Sequence, residues 1–540
     1  MRDGIDDGRS NAALRDGVAP FMRRFAADES GIFIILFAIS FAAMALAAAI
    51  AIDFARISLE RTEMQRALDS AALAAAHRLG MPDEEQSGPA AAAAFYKANI
   101  PTGSPLVIEE LKMDATAGEV VISSGGSIAT TFLSAFGILN VSVGAGTKVV
   151  RGDGTVEVAL VLDNSGSMAG GPISELKAAS RNLVDVVFAG AAGNDKVRIG
   201  VVPFAGSVNV GSQHRHDGWI DTDAVSPVHH ENFAEPRSRF TLFDQLGTPW
   251  RGCVEARPAP YDVTDAPPNA GNPATLFVPM FAPDEPDSGN AGGASYPNNY
   301  LNDFGGSCPT PEQVCVDYNS RRNRCDQYGP APLTPAVAQA RMCKYDGVSP
   351  PSGLGPNYGC TTTPLLELTT YKADVVTAID AMAANGSTNI GEGLMWGWRV
   401  LSPGAPFAQG RPANDPHNKK VIVLMTDGEN TYTRYSGNHN WTWYGAFAYG
   451  AKGRLGTTNS STAILNQMNA KTRAACTNAK ADGVIVYTVA FRLESNAATR
   501  ALLADCATDS SKAFTASNGS ALYNAFQAIG REISQLRVAG

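Results

Sequence analysis

The sequence predicts an α/β protein in which a doubly wound, mostly parallel sheet carries a long disulfide-rich insert. A transmembrane helix at the N-terminus and a small α+β spacer are predicted to precede it. Three observations lead to this fold class. Short apolar runs alternate with helical segments over residues 153–540, as in sheets covered by helices. Residues 31–52 contain no charged residue, and six of the eight cysteines lie between Cys253 and Cys360.

The composition of the 540-residue chain excludes two broad classes of protein. Hydrophobic residues make up 44% of the chain and charged residues 18%, which is enough apolar material for a sizeable core. A wholly disordered chain is therefore excluded. The formal net charge is -9, and no block of Lys and Arg occurs. We therefore expect no nucleic acid among the partners, because phosphate binding needs clustered positive charge.

Residues 31–52 are predicted to cross a membrane. As a helix the run measures about 33 Å, close to the roughly 30 Å of a hydrocarbon core. A buried core helix and a cleavable signal peptide are the alternatives. The first fits poorly because no face carries a charge, and the second because the run exceeds an ordinary signal-peptide core.

Cysteine usage, rather than flanking charge, predicts the orientation of this span. Arginines occur on both sides of it, so the positive-inside rule is close to a tie. A cysteine-rich loop region requires an oxidising compartment. We therefore expect residues 1–30 in the cytoplasm and everything after Asp53 outside it. This describes a single-pass inner-membrane protein of the bacterial envelope, with its C-terminal bulk in the periplasm or outside the cell.

Residues 53–88 continue the span as an alanine-rich helical region. Asp53 to Leu79 contains no Gly or Pro and is rich in strong helix formers. Together with the span, it resembles the N-terminal region of TadE/TadG-like proteins of the Flp (tight-adherence) pilus assembly system. The matching features are Asp53-Phe54, Gln65, Asp69 and the alanine-rich run at residues 71–76. Residues 89–152 are predicted to form the α+β spacer, without chemistry of its own.

Two predicted buried strands are each followed at once by oxygen-bearing side chains. The strand at residues 156–162 leads into Asp-x-Ser-x-Ser, and the strand at residues 421–425 leads into Thr-Asp-Gly. A Gly-bounded loop with Ser and Thr precedes the helix predicted at residues 394–400. Ligands bind at the carboxyl ends of parallel strands, and hard oxygen donors suit a divalent cation. The predicted metal ligands are Asp163, Ser165, Ser167, Thr388 and Asp427, with Ser387 and Asn389 as alternatives to Thr388.

This pattern resembles the metal-ion-dependent adhesion site (MIDAS) of the von Willebrand factor A domain, and all five positions match. The resemblance implies that the two Ser and the Thr bind the cation directly, while the Asp carboxylates often act through water. It also implies Mg²⁺ as the cation, with Ca²⁺ or Mn²⁺ as alternatives. One coordination position would stay open for a carboxylate of a protein partner. Residues 153–540 would then form the von Willebrand factor A domain.

An insert at about residues 209–370 interrupts the α/β alternation and is rich in Asn, Pro, Gly and Asp. Three disulfides among its cysteines would make it an ordered appendage that overhangs the metal site, but spacing does not decide their pairing. Cys476 and Cys506 lie outside the insert and are expected to pair. An aromatic loop at residues 432–449 follows Asp427. It would serve either as a partner surface or as packing beneath the insert.

The predicted function is that of a membrane-anchored, envelope-exposed, metal-dependent protein-binding module. The two resemblances place it in Flp pilus assembly, anchoring or adhesion, with pilus or envelope components as partners. The alternatives are a surface adhesin unrelated to pili and a metal-dependent hydrolase. We expect no enzyme, because no His or Lys motif accompanies Asp163 or Asp427. The sequence also has no nucleophile elbow, Walker loop or His-Glu-x-x-His motif.

Overall fold

The computed structural model describes residues 32–79, 84–114, 118–150, 154–189, 195–435, 437–456 and 460–538. Its contacts divide the chain into two compact units, Met1–Arg151 and Gly152–Gly540. The predicted cytoplasmic segment at residues 1–30 lies outside the described residues.

The first unit is built on one long helix, α1 (Ile32–Ala76), which continues without a break from the apolar run into the alanine-rich segment. Large apolar side chains from Ile34 to Ile52 are exposed. Among the described residues, α1 is the one helix that is long and apolar enough to cross a membrane.

The C-terminal half of α1 packs on a helix and a small antiparallel sheet. These elements are α2 (Glu84–Asn99), β1 (Val107–Asp114), β2 (Glu119–Ala129) and β3 (Asn140–Val150), with the strands in that order. Alanines of α1, such as Ala71 and Ala75, are fully buried in this core, because small side chains permit close packing. α2 crosses residue 88, so the helical region and the spacer share one helix.

Asp53, directly after the apolar run, is buried although its neighbours in α1 are exposed. Its carboxylate is buried and accepts hydrogen bonds from the backbone N–H groups of Thr131, Phe132 and Leu133 at 3.0, 2.8 and 2.8 Å. These groups begin a short 3₁₀ turn at Leu133–Phe136, whose free N–H groups need acceptors. The acidic residue after the apolar run therefore ties α1 to the connection between β2 and β3.

The second unit contains a six-stranded sheet and a separate hairpin. The strands are β4 (Thr155–Asp163), β5 (Val197–Phe204), β6 (Gln313–Asn319), β7 (Arg324–Pro330), β8 (Leu366–Thr369), β9 (Asn418–Thr426), β10 (Ile485–Phe491) and β11 (Ala513–Ala516). The sheet has the order β11-β10-β9-β4-β5-β8, and β6 pairs with β7. Every pairing in the sheet is parallel except that of β8, which lies antiparallel at one edge.

Helices cover both faces of this sheet. The helices of this unit are α3 (Gly171–Phe188), α4 (Arg239–Gln245), α5 (Pro335–Ala340), α6 (Lys372–Ala381), α7 (Ile390–Leu401), α8 (Ser461–Ala481), α9 (Ala497–Cys506) and α10 (Gly519–Val538). α3, α6 and α10 pack on one face, and α7, α8 and α9 on the other. Neighbouring residues of β4 alternate between the two cores, which explains its continuous apolar sequence.

The insert is ordered, as expected, but its interpretation as an appendage is wrong. Trp219, Phe243 and Phe277 belong to the same buried core as Phe204 of β5 and Trp396 of α7. β8 also lies in the sheet, although residues 366–369 were assigned to the insert. The aromatic residues of the insert follow no regular period, so their burial left no pattern in the sequence.

All eight cysteines form disulfides. Within the insert the pairs are Cys253–Cys360, Cys308–Cys343 and Cys315–Cys325. The predicted pair Cys476–Cys506 is confirmed and joins α8 to α9.

We predict that replacing both Cys253 and Cys360 by serine lowers the free energy of unfolding by about 2–5 kcal/mol, because this bond closes a long loop and restricts the unfolded chain. The two cysteines are 107 residues apart, whereas Cys315 and Cys325 are 10 apart. The same double replacement at the shorter pair is the matched control and should cost less. Urea denaturation measures both, and an equal loss would contradict this expectation.

Candidate metal centre

Asp163 lies buried at the bottom of the candidate site. It ends β4, and its side chain is 0% exposed. One carboxylate oxygen, Oδ1, accepts a hydrogen bond from the Ser165 backbone N–H at 2.7 Å, and Oδ2 accepts one from Thr426 Oγ1 at 2.6 Å. Burial raises the pKa of Asp163 to about 6, although these hydrogen bonds favour the charged form. The carboxylate therefore holds the turn after β4 against the end of β9.

Ser165, Ser167 and Asp427 form a continuous chain of polar contacts next to Asp163. The two serine hydroxyl oxygens are 3.0 Å apart, and Ser167 Oγ donates to Asp427 Oδ1 at 2.5 Å. A 3₁₀ turn at Gly166–Met168 brings Ser167 back towards β9. Burial also raises the pKa of Asp427. The structure thus brings together residues from the ends of two adjacent strands.

Thr388 borders the same space from a third loop. A Cβ atom built on Gly428 would lie 3.6 Å from Thr388 Oγ1 and 3.7 Å from Ser167 Oγ. Thr388 is held in place because its backbone N–H donates to Thr431 Oγ1 at 2.7 Å, and its carbonyl accepts from Thr431 N at 2.8 Å. All five predicted ligands therefore lie at one end of the sheet.

The two alternatives to Thr388 have other surroundings. Asn389 Oδ1 accepts a hydrogen bond from the backbone N–H of Glu392 at 3.2 Å and so caps α7. Ser387 lies beside Gly206, where a Cβ atom would be 3.5 Å from the Ser387 Cβ.

Backbone contacts dock the Thr388 loop on the Asp-x-Ser-x-Ser turn. Gly166 N donates to the Gly386 carbonyl at 2.9 Å, and Asn385 N donates to the Asn164 carbonyl at 2.7 Å. Gly386 has a φ of +95°, and a Cβ atom there would lie 2.6 Å from Thr361 Oγ1. A side chain at this position would therefore be strained and would collide with the insert.

The residues present fit a divalent cation. Two carboxylates and three hydroxyls are hard oxygen donors of the kind that Mg²⁺, Ca²⁺ and Mn²⁺ bind. Burial raises the pKa of the Asp163 and Asp427 carboxyl groups. A bound cation would favour the charged form of both. The side-chain amide of Asn164 is also buried beside the turn, without a hydrogen-bond partner among the described residues. An orphaned amide of this kind is typical of a site that holds water or a ligand.

Sequence reasoning missed the residues that support the ligands. Thr426 was noted in the Thr-Asp-Gly motif, but its hydroxyl bond to Asp163 was not predicted. Thr431 and Asn430, which hold Thr388 and the start of α7, were also missed. The one available signal was a Thr that directly follows the apolar run at residues 421–425.

The aromatic loop packs beneath the insert, which was one of the two roles expected from the sequence, while its role as a partner surface stays a prediction. Tyr444, Phe447 and Tyr449 are buried, and Tyr444 Oη lies 3.3 Å from the Arg239 Nη1 donor of the insert. Trp443, in contrast, is 37% exposed.

Comparison with known proteins identifies the N-terminal segment. Residues 31–78 match the family model described as Flp pilus-assembly TadE/G-like, which confirms the resemblance seen in the sequence. The matched segment is TadE/G-like and covers a small part of the chain. No curated protein matches the sequence.

Solved structures similar to this chain include pilus proteins. The von Willebrand factor domain of the type V pili tip protein Mfa5 from Porphyromonas gingivalis is 12% identical, with coverage of 71% of this chain and 96% of that chain and a TM-score of 0.32. The adhesive tip pilin GBS104 from Group B Streptococcus agalactiae is 10% identical, with coverage of 70% and 100% and a TM-score of 0.32. The pilus adhesin SpaC from Lactobacillus rhamnosus GG is 13% identical, with coverage of 80% and 35% and a TM-score of 0.31.

We predict that Thr426→Val lowers the free energy of unfolding by about 1–3 kcal/mol, because it leaves the buried Asp163 Oδ2 without its donor. Urea denaturation measures the change. Thr155→Val is the matched control, since Thr155 begins β4 at its opposite end and donates to Asn418 Oδ1 at 2.8 Å in a partly exposed position. A loss for the control as large as that for Thr426→Val would refute the supporting role of this hydroxyl.

Proposed function

We propose that the second unit is a von Willebrand factor A-like module that binds a carboxylate of a protein partner through a divalent cation. The observation that carries the proposal is the convergence of Ser165, Ser167 and Asp427 with Thr388 at the carboxyl end of β4 and β9. The strand order, with helices on both faces, supports a doubly wound sheet of this type.

The proposed ligands have distinct tasks. The hydroxyls of Ser165, Ser167 and Thr388 would hold Mg²⁺, or Ca²⁺ or Mn²⁺ in its place, and Asp163 and Asp427 would balance its charge. When bound, the cation supplies a Lewis-acid position that attracts an anionic oxygen of the partner. Asp163 orients the turn through the Ser165 backbone N–H, and Asp427 orients the Ser167 hydroxyl.

We further propose a binding role rather than a catalytic one. Among the described residues, the groups that bond to the Asp163 and Asp427 carboxylates are hydroxyls and backbone N–H groups, with no histidine or lysine. A general acid or base that could move protons at this site is therefore missing from those contacts.

We place this module in the bacterial envelope, in pilus assembly, anchoring or adhesion. The TadE/G-like segment supports a link to the Flp pilus, and the exposed apolar half of α1 supports a single-pass membrane anchor. All four disulfides lie in the second unit, which supports a periplasmic or external location for that unit. Pilus and envelope proteins are therefore the proposed partners.

We predict that the full-length protein binds Mg²⁺ and that Gly428→Ala weakens this binding by at least about tenfold. The new methyl carbon would lie 3.6 Å from the Thr388 hydroxyl and 3.7 Å from the Ser167 hydroxyl, without a steric clash, and would fill space that a cation bound to both needs. Asp427→Asn should weaken binding as well, because it removes a negative charge. Isothermal titration calorimetry measures the affinity.

Gly404→Ala is the matched control, because a Cβ atom there meets nothing within 4 Å. Unchanged Mg²⁺ affinity in Gly428→Ala would place the cation elsewhere. Capture of partners from envelope extracts should then require Mg²⁺, fail with chelator and fail with Gly428→Ala. Hydrolysis of a captured protein would favour the hydrolase alternative instead.

A further inference from the structure

A cleft of about 340 Å³ lies beside the candidate metal centre in the second unit. Its walls come from the loop at residues 385–387, the end of the insert at residues 353–361 and the aromatic loop at residues 432–445. The first of these loops leads directly to Thr388, and the Gly386 carbonyl accepts a hydrogen bond from Gly166 N. A ligand held at the metal centre can therefore continue into the cleft without leaving the protein surface.

The cleft presents hydrogen-bond donors that the protein itself does not use. The Arg251 guanidinium is exposed and has no hydrogen bond or ion pair to the part of the chain that the structure describes. Within the same described ranges, the Tyr358 hydroxyl and the Trp443 indole N–H also have no bonded acceptor. None of the described residues that line the cleft is acidic. The cleft therefore selects a ligand that supplies acceptors, and in particular negative charge.

The aromatic rings favour a peptide over a sugar. The rings of Tyr358 and Trp443 have centroids 6.0 Å apart and an interplanar angle of 60°. They form a corner that suits a side chain, rather than a flat platform for a sugar ring. A peptide offers carbonyls, carboxylates and apolar side chains together.

The backbone that carries Arg251 is held rigidly at the edge of the cleft. The Arg251 backbone N–H donates to Asn357 Oδ1 at 3.1 Å, and Asn357 Nδ2 donates to the Pro249 carbonyl at 2.9 Å. Two residues further on, the Cys253–Cys360 disulfide joins this segment to the wall of the cleft. A rigid wall reduces the entropy lost when a ligand binds.

We propose that this cleft binds an extended acidic segment of the partner, with one carboxylate at the metal centre and a second carboxylate on Arg251. An apolar side chain between the two acids lies in the corner of Tyr358 and Trp443. Arginine suits this position because its planar guanidinium can bind a carboxylate through two parallel hydrogen bonds. This inference rests on the proposed function and adds the chemical class of the partner.

The test selects random peptides displayed on phage, using the full-length protein in detergent micelles with Mg²⁺ and elution by chelator. The wild type should enrich peptides with two acidic residues on either side of an apolar one. Arg251→Gln should enrich peptides with a single acidic residue. Arg321→Gln is the matched control, because Arg321 is exposed in the turn between β6 and β7, outside the cleft, and should select as the wild type does.

Resynthesised two-acid peptides, measured by fluorescence anisotropy, should bind Arg251→Gln at least about tenfold more weakly than the wild type. Enrichment of the same two-acid peptides by Arg251→Gln would overturn the proposal. So would glycan binding that resists chelator and is lost in Trp443→Ala. If the wild type enriches chelator-eluted peptides with only one acidic residue, the proposed metal site is supported and the proposed role of the cleft is refuted. Arg251-dependent binding that ignores chelator would refute the metal site and leave the cleft standing.

Discussion

The candidate site depends on the in-register parallel pairing of β4 with β9. Leu162 is paired with Met425, so the residues that follow them, Asp163 and Thr426, leave the sheet side by side. The Thr426 hydroxyl then reaches the Asp163 carboxylate at 2.6 Å. Because the side-chain period of a strand is two, a shift of one residue would turn these groups to opposite faces. The contacts of the polar turn therefore depend on the register in which the apolar residues of β4 and β9 are paired.

Electrostatics and topology act in the same direction at this edge. Burial raises the pKa of both Asp163 and Asp427, and the nearby charge of Asp427 raises the pKa of Asp163 further. Hydroxyl and backbone donors offset part of the cost of burying this charge. The divalent cation of the proposed function would offset the rest.

The insert and the aromatic loop are one structural element rather than two decorations. Arg239 of the insert and Glu255 form an ion pair at 2.6 Å with both side chains fully buried. Tyr444 of the aromatic loop shares this network through its hydroxyl, which lies 3.3 Å from Arg239 Nη1. Removing one partner of such an ion pair would leave the other charge buried and uncompensated. The network therefore holds the walls of the cleft in a fixed position beside the candidate metal centre.

Much of this protein followed from local sequence. The apolar span, the buried strands and the Asp-x-Ser-x-Ser turn were predictable, because each is written in consecutive residues with a clear hydrophobic pattern. The pairing of the insert cysteines and the burial of Trp219 were decided by tertiary structure alone. These features depend on contacts between residues far apart in the chain, which leave no periodic pattern at either end. The short strand β8 was missed for the same reason, because its place at the sheet edge is set by β5.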